Sequence, residues 1–383
     1  MQHIFVGTSI LFPIIKTELN LDYTAFGAAV AVSALVGGLF QVIFGVASRR
    51  IARHVLMGLG NLLLSLGTFL TSLSQSLLHF TGGRTVSNIG VAPQHPMGTA
   101  IITERFEGKS IGRAIGIHYG FAYVGNIIGP LFMTFLAIAV GWRGTLVIFS
   151  VPALIVGLTV IWYLGGDKEP TRSSKVKDRP SLRADMAMLL KTRSVIPVIM
   201  TQALVSGGVD LGIITTYTPL FLANGLKLDE YARGIIYTIG LVGGVIGPVL
   251  LGKYAYRIGY LKTATISTCA ALTLEYLLAL YDSASVLLAA HLFVLGFVSF
   301  ALPTLLQSHL MGVTHGHNRD LVIGLFFGVN VCFGALWTGI MGVLIDTYSS
   351  FKPAFILMGT LGLSAAIVLV DQMRKQQATS KQP

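Results

Sequence analysis

Of the 383 residues, 53% are hydrophobic and 11% are charged, and the mean hydropathy is +0.74. Soluble domains carry roughly 25% charged residues, so the composition excludes a soluble protein and places the chain in a membrane. The formal net charge of +11 would suggest nucleic acid for a soluble chain; here its distribution along the sequence carries the meaning, and no nucleic-acid partner is implied.

The first apolar stretch, IFVGTSILFPII before Lys16, has about a dozen residues, short of the roughly 20 that a helix needs to cross a bilayer. No Lys or Arg precedes it and no small-residue cleavage pattern follows it, so it does not fit a signal peptide. It is expected to be the outer half of a truncated first span. Full-length apolar runs follow near 25 to 46, 55 to 75, 77 to 101, 112 to 139, 144 to 164, 195 to 223, 232 to 252, 263 to 281, 285 to 311, 320 to 344 and 353 to 372. These are spans 2 to 12. They are unbroken rather than alternating, which predicts helices and not the short strands of a barrel.

Span 4 carries the stretch SNIGVAPQHPMG, residues 87 to 98. On a wheel at 100° per residue, Asn88 falls about 40° from Arg84, His95 about 20°, and Thr81 and Thr99 about 60°. Lipid does not tolerate such a stripe, so it predicts a face turned to a cavity or to another helix. Pro93 and Pro96 are expected to free the carbonyls of Ile89 and Ala92 and to kink the helix, whether to widen a cavity or only to shape packing. In span 5, Gly112, Gly116 and Gly120 have the small-xxx-small spacing of closely packed helices. Asn126 shares a face with Tyr119 and is read either as a substrate ligand or as a helix bridge.

Span 7 contains SGGVDLGIITTY, in which Asp210 lies near mid-span with Ser206 and Tyr217 on its face. A carboxylate there needs a partner or a proton, and Gly207, Gly208 and Gly212 permit local unwinding. Glu275, in span 9, is expected to snorkel or to pair structurally. Cys269 and Cys332 fall inside spans and imply neither a disulfide nor a metal cluster; no metal or cofactor is expected. His79, His118, His291 and His309 belong to no stripe.

The polar segment from 165 to 193 divides six spans from six. The expected organisation is a bundle over 1–164, a linker over 165–193, a second bundle over 194–373 and a tail over 374–383. Sorting the 27 Lys and Arg by alternate loops puts 21 on one side and 5 on the other, with Arg84 inside a span. The richer side is cytoplasmic by the positive-inside rule, which places both termini and the linker there. The halves echo each other: GVASRRIARH after span 2 matches GKYAYRIGYLK after span 8 at an offset of 207, and Gly116 and Gly120 match Gly324 and Gly328 at 208. Such echoes point to a duplicated six-helix bundle with a site between the copies.

With these features the chain resembles the major facilitator superfamily, a fold of two six-helix bundles related by a pseudo-two-fold axis. The family's motif after span 2 is kept here at Gly45, Arg50 and Arg53, with Arg49 where an acid is expected and Ala52 in place of a glycine. The second copy keeps Gly252, Arg257 and Gly259, with Tyr256 in place of the acid. In the family this loop locks the bundles in one state. The stretch GNIIGP, with Gly125, Gly129 and Pro130, resembles the GxxxGP core of an antiporter motif, and Arg84 resembles the fourth-span arginine of proton-coupled drug exporters. GVAPQHP together with span 5 is similar to the fosmidomycin-resistance exporters.

The resemblance implies a multi-pass carrier of the cytoplasmic membrane, working by alternating access around a cavity lined by spans 1, 4, 7 and 10. It is not expected to be an enzyme, and no GxxxxGK[ST] loop for direct ATP use is present. The expected pathway residues are Arg84, Asn88, His95, Tyr119, Asn126, Ser206, Asp210 and Tyr217, with Asp210 titrating or binding a coupling cation. Proton-coupled export of a small organic compound is the leading reading. Uptake of a small organic or inorganic anion bound by Arg84 is the alternative, and a non-transporting membrane sensor or assembly protein is the reading from another class.

Overall fold

Long runs of Leu, Ile, Val and Ala without period-two alternation have one way to satisfy their backbone in hydrocarbon, which is to bond it within each segment. The structure, a computed structural model, describes residues 5, 7–48, 50–98, 109–166, 187, 189, 192, 195–209, 211–314 and 319–380, with side chains at these positions except 109–123, 166, 211–213, 319, 320 and 377–380. Among the described residues every regular element is helical. Span 2 is Tyr23–Ala47, span 3 Arg53–Ser72, span 8 Glu230–Ile258, span 9 Tyr260–Leu278, span 11 Arg319–Tyr348 and span 12 Lys352–Ser380. Spans 5 and 6 form two helices over Lys109–Gly166 that meet at Gly141, whose φ of 73° is a turn conformation open to glycine.

The remaining spans are each interrupted. Span 1 includes a tight 3-10 turn, Gly7–Leu11, and continues as Phe12–Glu18. Span 4 runs Leu77–Val91, turns at residues 92 and 93, and resumes over 94–98. This is the kink that Pro93 imposes by removing a donor. Span 7 is Val195–Gly208, then Leu211–Leu220, then a wide π turn at Phe221–Gly225. Span 10 is Val286–Ser299 followed by Ala301–Val313; Pro303 cannot donate to the carbonyl of Ser299, so the ladder breaks at Phe300.

Of the helices that start at one end of the molecule, four carry a capping side chain. Asp22 accepts from the Ala25 amide at 2.6 Å, Ser76 from His79 at 3.3 Å, Asp229 from Ala232 at 2.8 Å and Ser285 from Leu288 at 3.2 Å. These caps satisfy donors that helix geometry leaves free. They mark what is called here the far end; the opposite, basic end carries residues 48, 50–52, 259 and 314.

Span 3 packs on spans 4 and 6, and span 2 on span 4; in the second half span 8 packs on 10, span 12 on 7 and 9, and span 11 on 7. Two bundles result, joined mainly where span 2 lies along span 11 and span 5 meets span 8. Glycine makes the first seam close. A Cβ on Gly38 would come within 2.8 Å of Cys332 Sγ, and one on Gly328 within 3.1 Å of the Gly38 carbonyl. Glu275 departs from expectation: it neither snorkels nor pairs, being fully buried with both carboxylate oxygens lacking a hydrogen-bond partner among the described residues. The inner face of span 9, with Ala264, Thr268, Ala271 and Leu278, carries it into the bundle.

Candidate substrate cavity

Between the bundles lies a cavity of about 300 Å³. The first bundle lines it with Phe5, Ser9 and Phe12 of span 1, Gln41 of span 2, Arg84, Asn88 and His95 of span 4, and Asn126 of span 5. The second contributes Ser206 and Thr216 of span 7, Phe300, Thr304 and Gln307 of span 10, and Asn330 and Thr338 of span 11. Of the lining residues described, Arg84 is the one that carries a fixed charge, and none is an acid.

Arg84 is 9% exposed, and aromatic rings surround its guanidinium. Its Cζ lies 4.8 Å from the centre of the Phe12 ring, 5.7 Å from Phe5 and 5.8 Å from Phe80. Phe26 braces this cage, meeting Phe12 edge-on at 5.1 Å and stacking on Phe80 at 5.6 Å. Ring faces attract the cation, yet they accept no strong hydrogen bond, and Arg84 Nε has no hydrogen-bond partner among the described residues. A buried guanidinium normally has a carboxylate beside it. Here the open space beside it is the cavity.

One turn further along the stripe, Asn88 rests on span 2, where Gly37 leaves room for it: a Cβ on Gly37 would lie 2.9 Å from Asn88 Cβ. Its Nδ2 is buried and has no hydrogen-bond partner among the described residues. His95 reaches across to the other bundle and stacks on Phe327 of span 11 at 5.0 Å and 13°. Gln94, its neighbour in sequence, turns the opposite way and joins span 3, taking a hydrogen bond from Asn61 at 3.3 Å and donating to the Met57 carbonyl at 3.2 Å.

Arg84, Asn88, His95, Asn126 and Ser206 line this one space. Ser206 satisfies its hydroxyl locally on the Ala203 carbonyl at 2.7 Å. Tyr217 is a correction. It does not line the cavity; its hydroxyl donates to the Thr338 carbonyl and fills the gap between Gly27 of span 2 and Gly342 of span 11. Asp210 lies outside the described residues, as do the side chain of Tyr119 and the whole of Arg49. Spans 2, 5 and 11 line the cavity in addition to the expected 1, 4, 7 and 10. Gln41, Gln307 and Asn330 were missed, although each is a lone amide in an apolar run; Asn330 is held by Gln202, whose Nε2 donates to its Oδ1 at 2.5 Å.

The motif residues divide into packing and exposure. Gly129 and Pro130 form a seat for span 1, since a Cβ on Gly7 would come within 2.6 Å of both backbones, and Gly125 is buried on the same helix. Gly45 lies against Gly324 at the basic end of the seam between spans 2 and 11. Arg53 is buried at the start of span 3. Arg50 and Arg257 are exposed. Gly252 has open space around it, whereas Gly259, with φ 100°, makes the turn from span 8 to span 9.

A family model described as Major Facilitator Superfamily matches residues 4–338. The "Probable L-galactonate transporter" of Escherichia coli is 29% identical over 39% of this chain and 33% of its own length. The "Chloramphenicol resistance protein CraA" of Acinetobacter baumannii is 23% identical over 69% of this chain and 63% of its own. The chain thus matches less than two thirds of the length of either relative. Among solved structures, the nucleoside transporter NupG superposes with a TM-score of 0.72 at 15% identity, covering 97% of this chain and 96% of that one.

Proposed function

Since the chain belongs to the major facilitator superfamily, we propose that it is a secondary carrier whose substrate is a small hydroxylated carboxylate bound between the bundles, with Arg84 as the carboxylate ligand. The observation that carries this reading is the charge of the cavity: a buried guanidinium caged by aromatic rings, with no acid among the described lining residues. An anion entering the cavity supplies the counter-charge that the described lining residues do not, and in a low-dielectric site that pairing is strong. The opposite wall offers neutral partners, the amides of Gln307 and Asn330 and the hydroxyls of Thr304 and Thr338, which suit substrate hydroxyls. A volume of about 300 Å³ is that of about ten liquid waters, given about 30 Å³ each. A sugar acid has this size and chemistry, and the L-galactonate transporter among the relatives agrees with it.

Alternating access moves the site between two mouths, with the basic end facing the cytoplasm and Asp210 as the group that binds a coupling proton. Export of a small organic compound against protons is the second reading. It is favoured by the seat that Gly129 and Pro130 form for span 1 and by the resistance protein among the relatives.

Uptake into proteoliposomes holding the purified chain decides between them, using labelled galactonate, glucuronate and chloramphenicol under inward and outward proton gradients. Sugar-acid flux that Arg84→Gln abolishes, and that Arg84→Lys lowers at least tenfold because a lysine cannot make the paired contact, is the expected result. Chloramphenicol flux driven by a proton gradient, with no sugar-acid flux, would replace the first reading by the second.

A further inference from the structure

Span 11 presents Thr338, Gly342 and Asp346 at four-residue spacing, one stripe of a helix. The stripe starts in the central cavity, which Thr338 lines, and ends in a separate pocket of about 390 Å³ at the far end, which Asp346 lines with Tyr23, Asn224 and Tyr281. Along it lies the first part of span 2. Gly27 approaches the Thr338 carbonyl, a Cβ on Gly342 would come within 2.3 Å of the Tyr23 carbonyl, and Tyr217 plugs the space between them. This seam runs along span 11 between the stretch that lines the central cavity and the stretch that lines the far pocket.

Its outer fastening is specific. One carboxylate oxygen of Asp346 accepts the Tyr23 amide at 3.1 Å; the other accepts the Thr24 amide at 2.5 Å and the Thr24 hydroxyl at 2.6 Å. Both amides belong to the first turn of span 2, where helix geometry leaves N–H groups without an internal acceptor and where the helix dipole favours an anion. Asp22 already caps Ala25, so a helix start in one bundle is completed by a side chain of the other, more than 320 residues away along the chain. Charge-assisted bonds of this kind are the strong ones, and all three must break if the bundles part at this end.

We propose that Asp346 is the far-end latch of the transport cycle: its hold on Tyr23 and Thr24 favours the conformation in which the central cavity is shut off from the far pocket. The latch acts on the balance between conformations and not on substrate, so it stands whichever substrate the carrier takes. A residue that merely fastens the fold would change melting without changing that balance.

The test uses the full chain, purified without substrate, carrying Cys269→Ser, Cys332→Ser, Leu73→Cys and Ser283→Cys. The introduced cysteines lie at exposed far-end positions, one in each bundle, and spin labels on them report the separation by pulsed electron resonance. Asp346→Asn is expected to raise the ratio of long to short separations roughly tenfold, the scale of losing charge-assisted bonds. Thr24→Val removes one donor and is expected to shift the ratio a few-fold in the same direction. Melting curves of the same samples establish that each variant is folded, and if Asp346→Asn fails that check the Thr24→Val result decides alone. Distance distributions identical to the parent would overturn the latch, whatever happens to the melting temperature.

Discussion

Arg84 and Glu275 are both buried ionisable groups inside spans, but their surroundings differ in kind. Arg84 borders a cavity and is caged by rings; Glu275 is closed in by its bundle with neither oxygen bonded among the described residues. Removing the Phe12 ring takes away the nearest face of the cage without touching the charge. Phe12→Leu is therefore expected to weaken binding of a sugar acid about twofold to thirtyfold, since a cation–π contact contributes about 0.5 to 2 kcal/mol from exposed to desolvated settings, while Phe12→Tyr keeps the affinity; isothermal titration with galactonate measures both. For Glu275 the expectation runs the other way. A polar group buried without a partner costs about 1 to 3 kcal/mol, so Glu275→Met, similar in volume, is expected to raise the melting temperature in detergent. A marked fall would mean that the carboxylate makes a stabilising bond to a group outside the described residues.

At the level of elements, hydropathy made the spans legible because each must bond its own backbone in hydrocarbon, and Pro93 and the glycines of SGGVDLG announced where spans 4 and 7 break. The stripe of Arg84, Asn88 and His95 was legible for the same reason: helical spacing fixes which residues share a face. Tyr217 shows where that reasoning stops. Spacing put it on the face of Ser206, but the face turns along an interrupted helix, and its partner Thr338 lies on another helix altogether. Asn330 and Gln41 were illegible because a single amide in an apolar run does not disclose what faces it. Glycines likewise look alike in sequence and differ in place. A Cβ on Gly243 of span 8 would lie 1.9 Å from the Phe293 carbonyl of span 10, whereas Gly252, a motif glycine, has nothing within 4 Å. Gly243→Ala is expected to destabilise by about 1 to 3 kcal/mol through overpacking. Gly252→Ala is expected to leave folding unharmed or improve it by up to about 1 kcal/mol through helix propensity; thermal melts of the two variants compare them directly.

For the whole molecule, the charge is arranged by end. The far end holds acidic and hydroxyl caps at Asp22, Ser76, Asp229 and Ser285 together with Asp346, while the other end holds Arg50, Arg53, Lys253 and Arg257. Two physical demands coincide in this asymmetry. Helices that start at the far end need acceptors there for their free amides, and basic loops are retained on the cytoplasmic side during insertion. The count of 21 Lys and Arg against 5 thus predicts the orientation independently of any substrate, and it determines which side the Asp346 seam seals. In a background of Cys269→Ser and Cys332→Ser, single cysteines at Ser283 and at Lys253 probe the two ends, both positions being exposed. A membrane-impermeant maleimide added to intact cells is expected to label Ser283→Cys and to reach Lys253→Cys only after permeabilisation. The reverse pattern would turn the molecule over, and the latch at Asp346 would then seal the cytoplasmic mouth.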